Sequence, residues 1–195
     1  MWSMLMAFFL ATPPAVSTPL DTIVDRVERN YNSTRSMTAD FEQRYTSKVF
    51  RRTKVSRGTL RFAKPGLMAW DYLEPARRLF VLDGKDLWVH QVADRQVLVR
   101  RNYDGDDLKA ALRFLWGDGG LRTDYTLELI KKNNVRAMLK LTPKKPAGYY
   151  RHVRLVVDLK TYRVTDSVVV DPQGNENRFR FSKVAYNVPV TQDSF

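Results

Sequence analysis

From Met37 to Tyr186 apolar and polar residues alternate in short segments, and this two-residue period limits what the chain can fold into. In Leu60-Arg61-Phe62 the apolar residues share one face, as do Met68, Trp70 and Tyr72, and Val153, Leu155 and Val157. Arg178-Phe179-Arg180-Phe181 puts both arginines on the face opposite the rings. Successive side chains of a strand point to opposite sides, so such segments build an antiparallel sheet, wet on one side and apolar on the other. Eleven strands are expected, at about 37–48, 55–63, 67–73, 78–83, 86–92, 96–101, 124–131, 135–143, 151–158, 162–170 and 176–187. Turn signals separate many of them: Pro65-Gly66, Asp83-Gly84, Asn133-Asn134, Pro146-Ala147-Gly148 and Pro172-Gln173-Gly174.

Two short helices are expected beside these strands. Ile23, Val27 and Tyr31 recur every four residues, which predicts an amphipathic helix over roughly 22–35 with Asp21 as its cap. Leu108, Ala111, Leu112 and Leu115 line one face of a second helix, between Asp104-Gly-Asp-Asp and the glycines that begin at Gly117. Two short helices cannot cover the apolar face of eleven strands. The sheet therefore either splits into a sandwich or curls on itself with the helices across its open side. A curled sheet of this size tends to enclose a hollow.

The chain has 195 residues, 44% of them hydrophobic, which suffices for one ordinary core. It has no cysteine, so thiolate catalysis, disulfides and cysteine-based metal sites are excluded. Residues 1–17 carry no charged side chain, and Met4 to Ala11 form an apolar run too short to span a bilayer. Followed by Ala15-Val16-Ser17, this run reads as a secretory signal peptide, although no Lys or Arg precedes it. Residues 18–195 are then a single exported domain, expected to be soluble.

No catalytic constellation emerges. His90 and His152 are the only histidines, and no metalloprotease, nucleophile-elbow or phosphate-loop motif is present. Asp104, Asp106 and Asp107 lack the spacing and terminal glutamate of a calcium loop and read better as helix capping. Neither metal nor cofactor is expected. The net charge is +12, and the basic runs at Arg51-Arg52-Thr53-Lys54 with Arg57, at Arg100-Arg101 and at Lys144-Lys145 are scattered over several turns and outward strand positions. A solvated surface is the plainest reading, with transient contact with an anionic membrane or an acidic partner next. Nucleic acid is disfavoured because the aromatics alternate inward rather than interleaving with the cations.

The ordered set Lys64-Pro-Gly-Leu-Met-Ala-Trp70-Asp-Tyr, Glu74-Pro75 and Leu82-Asp-Gly-Lys-Asp-Leu-Trp88-Val resembles the signature of the LolA family of lipoprotein carriers. Ala39-Asp-Phe41-Glu-Gln43, Gly58-Thr-Leu60-Arg-Phe62 and the run from Val153 to Tyr186 match further pieces in order. The resemblance implies a mainly β (α+β) fold: an open, incomplete antiparallel β-barrel with a helical lid. It implies a monomeric, non-enzymatic periplasmic carrier. Such a protein takes acylated lipoproteins from an inner-membrane ABC transporter to an outer-membrane acceptor. The alternative is an amphiphile-binding sensor or regulator on the same fold, without transport.

On this reading Leu60, Phe62, Met68, Trp70 and Tyr72 line the lipid-binding wall. Leu108, Leu112, Leu115 and Trp116 form the lid, with Lys64 at the lid contact. The family typically has Arg before that proline, and the single ammonium of Lys64 does not reproduce the planar fork of a guanidinium. Met68 stands where the family often has a large aromatic or apolar residue.

Overall fold

A computed structural model describes residues 17–103, 120–191 and 195. The expected leader, apart from Ser17, and the expected lid helix with Leu108, Leu112, Leu115 and Trp116 lie outside the described residues, as do Asp104, Asp106 and Asp107.

The chain opens with helix α1, Pro19–Asn32. It starts earlier than the stripe alone predicts. Thr18, not Asp21, is the cap. Its hydroxyl accepts the Asp21 N–H at 3.2 Å, while Asp21 sits three positions in and accepts the Thr18 N–H at 3.2 Å. This reciprocal box satisfies two of the N–H groups that a helix start leaves unpaired, and Pro19 suits the first turn because it has no N–H to lose. The buried stripe is Ile23, Val24, Val27 and Tyr31.

Among the described residues eleven strands follow: β1 Ser36–Ser47, β2 Arg52–Ala63, β3 Leu67–Glu74, β4 Arg78–Asp83, β5 Leu87–Gln91, β6 Gln96–Arg100, β7 Tyr125–Lys132, β8 Arg136–Pro143, β9 His152–Asp158, β10 Val164–Val170 and β11 Glu176–Tyr186. Each lies within three residues of its expected bounds. A four-residue helix, α2 (Leu121–Asp124), precedes β7; the sequence pattern does not predict it.

The strands form one antiparallel sheet in the order β6-β5-β4-β3-β2-β1-β11-β10-β9-β8-β7. Among the described residues β6 and β7 end the sheet without pairing to each other, so it is not closed into a barrel, and the sandwich alternative fails. The sheet curls strongly. Trp70 on β3 and Phe179 on β11 are three strand steps apart, which is about 14 Å across a flat sheet. Their ring centroids nevertheless lie 4.9 Å apart. Bulges at Thr38/Asp40, Arg57/Gly58, Leu129/Lys131 and Val164/Asp166 supply local bends.

The outer face carries ion pairs, so the strand arginines are more than a solvated coat. Glu42 pairs with Arg44 and Arg57, Arg57 also with Glu74, Lys183 with Asp40, and Arg154 with Glu176. Asp166 is buried and accepts Nε–H bonds from Arg178 at 2.9 Å and Arg180 at 3.3 Å. Burial alone would raise its pKa, but the two guanidiniums outweigh that and hold the carboxyl below its ordinary range.

Candidate lipid-facing site

The concave face follows from the alternation. Leu60 and Phe62 on β2, and Met68, Trp70 and Tyr72 on β3, all point inward and are buried. Register sets them in rows: Leu60 opposite Trp70, Phe62 opposite Met68, and Trp70 opposite Phe80 of β4. All five belong to one core with Leu139 and Leu155 from the far half of the sheet and with Ile23, Val24, Val27 and Tyr31 of α1. These five side chains therefore share one apolar face, buried in a common core.

At its centre is an aromatic cluster. Phe41 lies 4.8 Å from Trp70, 5.0 Å from Tyr72 and 6.2 Å from Phe179, and Tyr72 lies 5.5 Å from Phe80, all edge-on. Phe41, Phe80 and Phe179 were not singled out from sequence as wall residues. The alternation places them on the apolar face but does not show that the sheet's curl converges there. Trp70 donates its indole N–H to the Met68 sulfur at 2.9 Å, so the polar edge of the ring is satisfied by a neighbour two residues away. That contact gives Met68 a local role. Burial pushes the Tyr72 phenol up to about 12.

α1 is fastened at both ends. At its C-terminal end Lys64 donates Nζ–H to the Tyr31 carbonyl at 2.9 Å. A cation there complements the negative end of the helix dipole. Asn30 donates to the Thr161 and Tyr162 carbonyls at 2.8 and 3.0 Å, and the Tyr31 hydroxyl accepts the Val164 N–H at 3.0 Å. The Arg163 guanidinium lies 3.9 Å over the Tyr186 ring and donates to the Thr34 hydroxyl at 2.8 Å. At the other end Arg122 of α2 bonds Asp21 at 2.8 Å and Asp25 at 2.7 Å. Hydrogen bonds from Thr18 and Arg122 lower the Asp21 carboxyl to about 2. Arg163, Tyr186 and Arg122 carried no sequence signal, because each acts on a residue more than ninety positions away along the chain.

The conspicuous D-G-x-D-L-W segment serves a different purpose. Asp83 accepts the N–H groups of Lys85 and Asp86 at 3.0 and 2.7 Å and the Trp88 indole N–H at 2.8 Å. Asp86 in turn accepts the Asn102 N–H at 2.9 Å and pairs with Arg101. Gly84 has φ of 96° and Gly66 a φ of 72°; a Cβ on Gly66 would lie 3.3 Å from the Gly84 Cα. The motif locks two adjoining turns at the Lys64 end of the sheet.

Comparison with known proteins agrees with this architecture. The family profile "Outer membrane lipoprotein carrier protein LolA" matches residues 32–195. An outer-membrane lipoprotein carrier protein of Dechloromonas aromatica is 29% identical over 88% of this chain and 81% of its own length. One from Neisseria meningitidis serogroup B is 25% identical over 93% of this chain and 85% of its own. The crystal structure of an uncharacterized conserved protein from Thermus thermophilus shares the fold, with a TM-score of 0.56, 13% identity and 88% of each chain covered. The profile spans most of the chain and the wall, the turn lock and the strand order fall within it: the chain belongs to the LolA family of outer-membrane lipoprotein carrier proteins.

Proposed function

We propose that the protein carries acylated lipoproteins through the periplasm from an inner-membrane ABC transporter to an outer-membrane acceptor. The acyl chains would lie against Leu60, Phe62, Met68, Trp70 and Tyr72 in place of the elements that now cover them. Leu108, Leu112, Leu115 and Trp116 would form part of that cover. Residues 1–17 would direct export, and 18–195 would be the carrier domain.

The observation that carries this reading is a continuous apolar face on a curled, open sheet, packed in one core with the buried stripe of α1, a helix whose polar ties lie at its two ends. An acyl chain of about fourteen methylenes costs roughly 11 kcal/mol to leave in water. Uncovering the four buried side chains of α1, at about 1.5–3 kcal/mol each, costs about 6–12 kcal/mol. The two magnitudes are comparable. For each single acyl chain, exchange with the helix is then nearly balanced, which favours reversible loading. A wall with no cover would hold its cargo too tightly and aggregate when empty.

The test is native mass spectrometry of the protein purified from its own periplasm. A bound acylated protein is the expected result. Free lipid, or a partner that carries no acyl chain, would favour the sensor reading instead. As a second arm, Leu112→Asp should abolish retention of an acylated peptide while the far-UV spectrum is preserved.

A further inference from the structure

The turn between β1 and β2 is unlike the rest of the surface. Val49 and Phe50 at its tip are 71% and 75% exposed, more than any other large apolar residue described. Four cations flank them: Lys48, Arg51, Arg52 and Lys54. None of the four is ion-paired among the described residues, in contrast to the strand arginines of the outer face. No Asp or Glu occurs between Gln43 and Trp70.

The tip is built, not frayed. The Lys48 N–H donates to Asn175 Oδ1 of the neighbouring turn at 2.8 Å, and the Phe50 N–H to the Ser47 hydroxyl at 3.3 Å. The Thr46 and Thr53 hydroxyls bond across the hairpin at 3.0 Å, and Arg51 takes the left-handed turn conformation with φ of 51°. The acid on the adjoining turn, Asp171, already accepts the backbone and side-chain N–H groups of Asn175. Register places the tip at the sheet end that also bears Lys144, Lys145 and the exposed Tyr149.

We propose that this hairpin is a membrane-docking finger. Val49 and Phe50 enter the headgroup–acyl boundary of an anionic bilayer, while Lys48, Arg51, Arg52 and Lys54 meet lipid phosphates. The arrangement matches the layering of a bilayer surface, with an exposed apolar apex flanked on both sides by exposed cations. An acidic protein surface would engage the cations but leave the projecting apolar apex unaccounted for. The finger gives the protein a means of touching membranes that does not involve its apolar wall.

Flotation of the unloaded protein with vesicles of phosphatidylethanolamine and phosphatidylglycerol tests this, with pure phosphatidylcholine vesicles as the neutral comparison. Binding should require the anionic lipid. The double substitution Val49→Ser with Phe50→Ser should weaken it by at least about tenfold. Arg51→Gln and Arg52→Gln should each weaken it about fivefold. Both sites are exposed, so unchanged thermal unfolding is the expected control. Failure of the wild-type protein to float, or equal flotation of the Val49/Phe50 variant, would overturn the proposal. Because no cargo is present, the outcome is separate from that of the carrier reading. Retained acyl-peptide binding by a variant that no longer floats would assign the finger to docking alone.

Discussion

Gly58 is the position where one methyl group should do the most damage. It lies on β2 opposite Phe41 of β1 and Tyr72 of β3, so the two rings meet over it, 5.0 Å apart. A Cβ here would fall 1.9 Å from the Asp71 carbonyl oxygen, 2.8 Å from its carbon and 2.9 Å from the Tyr72 Cα. All three atoms are backbone, so no side chain can swing aside. The β2–β3 ladder would have to open at its bulge. Overpacking of this kind costs about 1–3 kcal/mol, and separating the ring pair adds about 0.5–1.5 kcal/mol. Gly58→Ala is therefore expected to destabilise the protein by roughly 2–4 kcal/mol. For a domain of this size that lowers the Tm by roughly 5–15 °C. Thermal unfolding followed by circular dichroism and by tryptophan fluorescence measures it. Gly148→Ala is the control: a Cβ there meets nothing within 4 Å, and the change should stay within about 0.5 kcal/mol. If both variants unfold at the wild-type temperature, the close approach of β2 and β3 at Gly58 is wrong.

Lys64→Ala removes the cation that reaches the Tyr31 carbonyl in the last turn of α1 and should loosen that helix by about 1 kcal/mol. Amide exchange would show roughly fivefold faster opening in α1, and unchanged protection would count against the tether. Asp166→Asn weakens the bonds to Arg178 and Arg180. Their side chains are 41% and 57% exposed and can turn to water, so about 1–2 kcal/mol is expected in urea unfolding, less than for a fully buried pair. No loss at all would mean that the network does not stabilise the fold. Asp21 has its folded pKa depressed from 3.8 to about 2, so its contribution is complete above 3.8 and disappears as pH falls through about 2. Asp21→Asn should lower stability at neutral pH and flatten the acid limb of the stability–pH curve over that window. An identical acid limb in both proteins would refute the assignment.

Much of the wall could be read in the chain because it is a local property. Leu60, Phe62, Met68, Trp70 and Tyr72 share a face by the two-residue period, whatever the sheet later does. The start of α1 was less legible. The apolar stripe begins at Ile23, whereas the helix begins with a Thr18–Asp21 box whose two members are both good caps, so the periodic signal favoured the later one. The four-residue α2 is too short to show any period at all.

Sequence alone determined the strand pattern, the polarity of each face and the family, since each depends on residue identity at short spacing. The open, incomplete barrel was implied by the family resemblance and is what the sheet shows; only the tertiary structure decided that Trp70 meets Phe179 across three strand steps, and that Lys64, Arg163 and Arg122 fasten one helix. Strand twist and bulges accumulate small rotations over many strands, and the contacts they close join residues far apart in the chain, so no local pattern encodes them.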